Sequence, residues 1–248
     1  MRQYTVKPND TLFMIAKQFG VPLVQLIKAN PEISNTKPLY IGQIINIPEL
    51  LPIPKQLDAI ESNAEDIIDD IYAADWEKAV SKVNLIKTNM DELTPLLKEA
   101  VVPAELISGM NLAIKNLEQN VIQKKAYSAI AQANRITMYI PDMLDYFKVI
   151  IPTDVIRLDY LGRQIILNVE GNDWNEANNN YIAAKKIWER LKPQLDTKYS
   201  KDIEDFDQAT KTLGESINNK NYQNTIDNAN ILLDKVDVLE TDFKQQNT

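Results

Sequence analysis

Two long apolar stripes with identical spacing constrain the fold of this 248-residue chain more than any other feature. The first stripe advances by alternating steps of three and four residues through Trp76, Ala79, Val83, Ile86, Met90, Leu93 and Leu97. The second repeats the same steps through Trp174, Ala177, Tyr181, Ala184, Trp188, Leu191 and Leu195. This spacing places apolar side chains along one face of an α-helix. The sequence therefore predicts two equivalent amphipathic helices, with Trp76 and Trp174 as equivalent core residues.

The two stripes belong to a longer internal duplication. A shift of 98 residues pairs nine identical residues between positions 67–97 and 165–195, where roughly two would be expected by chance. A shift of 96 residues continues the match, for example from Ala113 to Ala209 and from Phe147 to Phe243. The sequence therefore predicts two homologous units, at about 57–148 and 155–247.

Each unit is predicted to form four helices. The apolar periodicity places them at 56–72, 76–97, 104–121 and 125–147, and again at 154–170, 174–195, 199–218 and 222–245. Between two of them, Gly171 is expected to end one helix and Asp173 to cap the next. The chain is thus expected to be mainly α-helical. Its short loops favour two tandem antiparallel four-helix bundles forming an elongated rod, and a solenoid of helical hairpins is the alternative.

The first 48 residues follow a different pattern. Gln3 to Val6 and Ile44 to Ile47 are short β-prone runs bounded by turn residues. Between them, Asp10 or Thr11 can cap a helix that Gly20 would end in a left-handed conformation. The inward face of that helix holds Leu12, Ile15, Ala16 and Phe19. With a second short helix after it, the segment is predicted to fold as a small βααβ unit.

This segment resembles the LysM family in its order of residue types. The resemblance rests on Asn9-Asp10-Thr11-Leu12 after the first strand, Asn30-Pro31 after the second helix, and the closing run Ile41-Gly42-Gln43-Ile44-Ile45-Asn46-Ile47-Pro48. Asn9 stands where the family usually has glycine, and asparagine tolerates a positive φ better than most residues. Phe13 stands where tryptophan is common and is expected to pack in its place.

The resemblance implies binding of N-acetylglucosamine-containing glycans, chiefly peptidoglycan. In the family, the glycan groove lies between two loops, which correspond here to Asn9, Asp10, Thr11 and Leu12 on one side and Asn30, Pro31, Glu32 and Ile33 on the other. The implied contacts are mostly backbone hydrogen bonds, with apolar side chains over the sugar face. A plainer interpretation makes Asp10 and Thr11 only a helix cap, and the two roles are compatible.

The expected domain order follows from these patterns. It comprises a LysM module at 1–48, a proline-rich linker at 49–55, a first helical repeat at 56–148, a joint at 149–154 and a second helical repeat at 155–248. Closely spaced prolines make the linker short and semi-rigid.

The composition of the chain excludes several kinds of catalytic and metal site. The chain has no histidine and no cysteine, which excludes Ser-His-Asp and Cys-His nucleophiles and histidine-ligated zinc. The sequence contains no glycine-rich phosphate-binding motif. We therefore expect no catalytic residues, no cofactor and no metal site. A glycosidase that uses paired carboxylates remains the one enzymatic alternative.

Charge is divided unevenly along the chain. Residues 1–50 hold five basic and three acidic residues, a net charge of +2, whereas residues 51–248 hold 22 and 32, a net charge of −10. An acidic body argues against binding to nucleic acid or to an anionic membrane surface. No apolar run approaches the ~18 residues of a membrane span.

These patterns favour a non-catalytic protein that binds peptidoglycan or N-acetylglucosamine oligomers through LysM and presents an acidic helical scaffold to a protein partner. The N-terminus is polar and enters the first strand within three residues, so a Sec-type signal peptide is not expected. That arrangement resembles spore-envelope proteins of Firmicutes, and the expected location is a cell wall or spore envelope. A cytoplasmic LysM-fold interaction protein is the alternative.

Overall fold

A computed structural model describes residues 2–33 and 39–247. The N-terminal module contains β1 (Arg2–Thr5), α1 (Leu12–Phe19), α2 (Leu23–Lys28) and β2 (Ile44–Ile47). The two strands pair antiparallel, with Arg2 opposite Ile47 and Thr5 opposite Ile44. This order confirms the predicted βααβ unit.

The ends of α1 form as the sequence predicts. The Thr11 side chain accepts a hydrogen bond from the backbone N–H of Met14, which satisfies a donor that the helix start leaves unpaired. Gly20 ends the helix at φ 62°, in the left-handed region that glycine enters without steric cost. The small core of this module contains Val6, Leu12, Ile15, Ala16, Val21, Leu26, Ile33, Ile45 and Ile47.

The helical body follows a short linker. Its α-helices are α3 (Lys55–Tyr72), α4 (Trp76–Glu99), α5 (Ala104–Ile122), α6 (Ala126–Leu144), α7 (Thr153–Glu170), α8 (Trp174–Leu191), α9 (Ser200–Asn218) and α10 (Tyr222–Asn247). The predicted helices are confirmed, with shifts at their ends. The largest shift is at α8, where Pro193 removes a backbone donor and the chain continues as a short 3₁₀ turn.

The helices pack as two closed four-helix bundles. In the first bundle, each helix packs on its neighbour in sequence and α3 closes the ring against α6. The second bundle repeats this arrangement, with α7 closing against α10. A solenoid would leave the first and last helices of each unit apart, so the ring closure supports the bundles over the alternative. Two apolar clusters fill the interiors, and Leu167 of α7 packs with the first.

The two bundles lie side by side rather than end to end, so the expected rod is wrong. Helix α6 packs along α7, and polar contacts follow the seam. Asn134 Nδ2 donates to Gln164 Oε1 at 3.1 Å, and the Tyr127 hydroxyl donates to the Leu167 carbonyl at 3.1 Å. The short joint between α6 and α7 turns the chain back on itself, which makes these helices antiparallel neighbours.

The turn between α7 and α8 differs from the expectation in one respect. Asp173 caps α8, but the left-handed residue is Asn172, at φ 57°, while Gly171 keeps a φ of −77°. Glycine at 171 lets the Tyr127 hydroxyl come close across the seam, since a Cβ there would lie 2.6 Å from it. The equivalent turn of the first bundle has Ala74 at φ 59°.

The tryptophans also differ from the expectation. Trp76 and Trp174 are equivalent, since each follows an aspartate cap at the first position of its helix. Both are only half-buried and pack at the edge of their cores, because a first-turn side chain has packing partners on one side only. Trp188, in contrast, is 1% exposed.

Candidate functional site

The first candidate loop is a tight turn between β1 and α1. The Asp10 carboxylate accepts hydrogen bonds from the Tyr4 hydroxyl at 2.7 Å and from the Lys7 backbone N–H at 2.8 Å. These bonds, the Lys7 N–H first and the Tyr4 hydroxyl second, lower the pKa of Asp10. Asn9 has a φ of 69°, as expected of an asparagine at a position where glycine is usual. Asp10 therefore stabilises the turn through hydrogen bonds to Tyr4 and Lys7.

The remaining residues of this loop serve different purposes. The Thr11 side chain is exposed and caps α1, so its role as a cap is confirmed. Leu12 is buried in the core of the module. Only Asn9 and Thr11 thus present well-exposed side chains on this loop, and Leu12 can face a ligand only through its backbone.

The second candidate loop is tied to β2 by a buried asparagine. Asn30 is 0% exposed. Its Nδ2 donates to the carbonyls of Leu26 at 2.8 Å and Asn46 at 2.7 Å, and its Oδ1 accepts from the Asn46 N–H at 2.7 Å. Ile33 is also buried, and it shares the small core with Leu12. Pro31 and Glu32, between them, are exposed.

The geometry therefore separates the eight predicted residues into two groups. Leu12, Asn30 and Ile33 are buried and fix the shape of the two loops. Asp10 is partly exposed and is bonded within its own turn. The accessible surface consists of backbone groups together with the side chains of Asn9, Thr11, Pro31 and Glu32. Such a surface can present hydrogen-bonding groups at fixed positions.

Replacing Asn30 with leucine is expected to unfold the module. The change leaves the Asn46 N–H and two carbonyl groups without their partners, and each buried unsatisfied group costs about 1–3 kcal/mol. A βααβ unit of this size has little stability to lose. Hydrogen exchange of the β1–β2 amides measures the effect, with Glu32→Gln as the exposed control. Unchanged protection in Asn30→Leu would contradict a structural role for Asn30.

Phe13 was expected to pack in the place of the family's tryptophan, and this expectation is wrong. Its side chain is 65% exposed, because Leu12, Ile15 and Ala16 already occupy the inward face of α1. Leu12, Ile15 and Ala16 follow the helical spacing of one face, and Phe13 lies off that face. The spacing alone could therefore have predicted that Phe13 is exposed. Met14 beside it is 53% exposed, so the start of α1 carries an apolar surface next to the first loop.

The docking of the N-terminal module on the helical body had no visible signal in the sequence. Gln25 Nε2 on α2 donates to the carbonyls of Ala100 at 2.8 Å and Tyr146 at 2.9 Å. Both carbonyls lie at ends of first-bundle helices, where backbone acceptors lack helical partners. The linker also binds the bundle, through the Lys148 N–H and the Leu51 carbonyl at 2.8 Å. This contact uses α2 and leaves the exposed loop residues uncovered.

Within residues 2–33 and 39–247, no group of three or more acidic side chains is arranged to hold a metal ion. No helix in the described part of the chain is long and apolar enough to cross a membrane.

The geometry defines a small βααβ module with two exposed loops. Residues 4–48 match the family model described as LysM domain, so this chain carries a LysM domain at its N-terminus. A LysM domain implies carbohydrate binding, to chitin, peptidoglycan or related N-acetylglucosamine-containing glycans.

Beyond the domain, one relative is similar over part of its length. The chain is 31% identical over 91 residues to "Secreted LysM effector ECP6" of Passalora fulva. The match covers 36% of this chain and 39% of the relative, so the chain spans about two fifths of the length of the curated relative it matches. No solved structure matches the chain significantly.

Proposed function

We propose that this protein is a non-catalytic, glycan-anchored scaffold of a cell wall or spore envelope. Its LysM domain binds peptidoglycan through the loops 9–12 and 30–33, and its acidic helical body presents a surface to protein partners. The observation that carries the proposal is the LysM match over residues 4–48, since both of the loops at issue lie inside it. The relative named above is also described as a secreted LysM protein.

The helical body supports a scaffold rather than an enzyme. Apolar side chains fill both bundle interiors. A cleft of about 470 Å³ between the LysM domain and the first bundle is lined by Asp142 and Asp145, among other residues. A glycosidase needs one protonated and one free carboxyl group. Both carboxylates here form ion pairs with Arg157, at 2.8 and 2.6 Å, so neither is an unpaired group facing the cleft.

The fixed attachment of the LysM domain also suits a scaffold. The Gln25 bonds and the linker contact hold the domain against the first bundle, and the bundles pack side by side. A chain held on a glycan would therefore display its body in one orientation. The body carries a net charge of −10, which favours a basic or neutral protein partner.

Filling the space between the two loops should abolish glycan binding. In the intact chain, Glu32→Trp places a large ring on an exposed loop position that bonds to no side chain among the described residues. We expect at least a tenfold loss of affinity for chitotetraose. Lys17→Trp, on the exposed face of α1, is the matched control and should bind as the parent does. Isothermal titration measures both. Equal affinity of the two variants would show that the loops are not the site.

A further inference from the structure

Each bundle has a groove between its second and third helices, and the duplication makes the two grooves directly comparable. The groove between α4 and α5 contains Lys87 and Lys115. The groove between α8 and α9 contains Lys185 and Lys211, which the shifts of 98 and 96 residues make their counterparts. The volumes differ, at about 170 Å³ in the first bundle and about 290 Å³ in the second.

A salt bridge closes the first groove and is missing from the second. Lys87 Nζ lies 2.5 Å from Glu118 Oε1 across the groove. The counterpart of Glu118 is Gly214, and a Cβ at that position would collide with the hydroxyl of Tyr181. Lys185 consequently has no acidic partner across its groove and makes no ion pair within the described residues. The loss of the glutamate side chain explains why the second groove is open.

The wall of the second groove is also more polar than that of the first. Thr210 replaces the apolar Ile114 of the first groove. It is 7% exposed, and its hydroxyl has no hydrogen-bond partner among the described residues. A buried hydroxyl without a partner costs free energy, whereas isoleucine at this position would not. The threonine therefore adds a polar group to the wall of the groove at a cost in stability.

The charges at the rim indicate the kind of ligand. Lys185 and Lys211 are exposed there together with Glu189 and Glu215. None of the four forms an ion pair in the part of the chain that the structure describes. Asp207 also lines the groove, but its carboxylate is bonded to Trp188 and Lys192. The unpaired charges are therefore two cations and two anions, so a complementary ligand carries both a carboxylate and an amine. A volume of about 290 Å³ is at the small end of ligand pockets and suits a short peptide.

We propose that the groove between α8 and α9 binds a short zwitterionic peptide. The carboxylate lies toward Lys185 and Lys211, and the amine lies toward Glu189 and Glu215. The source of the peptide rests on the proposed function, because the stem peptides of peptidoglycan carry both groups. A chain held on the glycan by its LysM domain would meet them at high local concentration. The LysM domain and the groove would then recognise the sugar and peptide parts of one polymer.

Titration of the intact chain with free stem tetrapeptide tests the proposal. We expect saturable binding, weakened about tenfold by Lys185→Ala, which removes one charge-assisted hydrogen bond. Lys87→Ala in the first groove is the matched control and should leave the affinity unchanged. The double variant Tyr181→Val/Gly214→Glu restores the residue pair of the first bundle, removes the collision at Gly214, and should abolish binding.

Two further readouts separate this proposal from the proposed function. Chitotetraose binding should be the same in all of these variants, because the groove lies outside the LysM domain. Peptide binding without chitotetraose binding would overturn the glycan anchor and leave the groove supported. The groove proposal is wrong if the tetrapeptide does not bind, or if Lys185→Ala and Lys87→Ala bind it equally. Both of those changes are at exposed side chains, so this comparison holds even if the double variant loses its helical circular dichroism.

Discussion

Replacing Trp188 with alanine is expected to lower the free energy of unfolding of the second bundle by about 3–5 kcal/mol. The side chain is 1% exposed and packs on Phe206 with ring centroids 4.2 Å apart. Its indole Nε1 donates to Asp207 at 2.7 Å, and Lys192 binds the other oxygen of that carboxylate. The substitution therefore leaves a large cavity and breaks a chain of polar contacts between α8 and α9. Chemical denaturation followed by circular dichroism at 222 nm measures the loss.

Trp174→Ala is the control for this prediction. Trp174 is half-buried at the start of α8, and its indole nitrogen bonds only to the nearby Asn172. Less apolar area returns to water, so we expect a loss of about 1–2 kcal/mol. A loss for Trp174→Ala equal to or greater than that for Trp188→Ala would contradict the placement of the core in the second bundle.

Lowering the pH from 8 to 5 is expected to stabilise the helical body. The cause is a cluster of carboxylates around one guanidinium where the two bundles meet. The acidic side chains come from α3, α7 and α10 and are Glu61, Glu65, Asp159, Asp237 and Glu240, with Asp58 and Asp234 close by. Arg163 pairs with Glu65 at 3.0 Å and also with Asp159. One arginine cannot balance this many partly buried negative charges.

The pKa values of these groups set the sign of the effect. Burial raises the pKa of Glu65 to about 7 and that of Glu240 to about 7, and burial and Glu65 raise that of Glu61. A carboxyl group with a raised pKa in the folded state binds its proton more tightly there than in the unfolded chain. Its ionisation therefore costs stability progressively as the pH rises from about 4.5 to about 7.

The expected gain between pH 8 and pH 5 is about 2 kcal/mol, after allowance for partial solvent screening of these side chains. Urea denaturation at a series of pH values measures it. Glu240→Gln removes one of the titrating groups and should flatten the pH dependence. Stability that rises with pH across this window would contradict the cluster, and so would a Glu240→Gln profile parallel to that of the parent.

Much of the fold could be predicted because it follows from local spacing. The three-and-four steps of the stripes locate the helices, and the repeat fixes their number in each unit. Membership of the stripe did not predict how deeply Trp76 and Trp174 are buried, because a periodic pattern does not show which turn of a helix lacks packing partners. Gly171 was misinterpreted for a similar reason. Its backbone is not left-handed, and its close contact is with Tyr127, 44 positions earlier in the sequence.

In the candidate site, too, features set by nearby residues could be predicted, and features set by distant residues could not. The turn at Asn9 and the cap at Thr11 depend on residues within a few positions, and the structure shows both. The burial of Asn30 depends on pairing with Asn46, which only the closed sheet brings near. The docking of Gln25 on carbonyls 75 and 121 residues away and the side-by-side bundles are long-range contacts without a periodic signature. The local sequence pattern predicts helices and strands, whereas these contacts depend on how the helices and strands pack together.

Sedimentation with purified peptidoglycan tests the central claim most directly. The full chain, residues 55–248 alone, and the full chain carrying Glu32→Trp are compared at equal concentration. The glycan-anchor account predicts that the full chain sediments and that the other two stay in the supernatant. Sedimentation of residues 55–248 to the same extent as the full chain would contradict it, because wall binding would then reside in the helical body and not in the LysM domain.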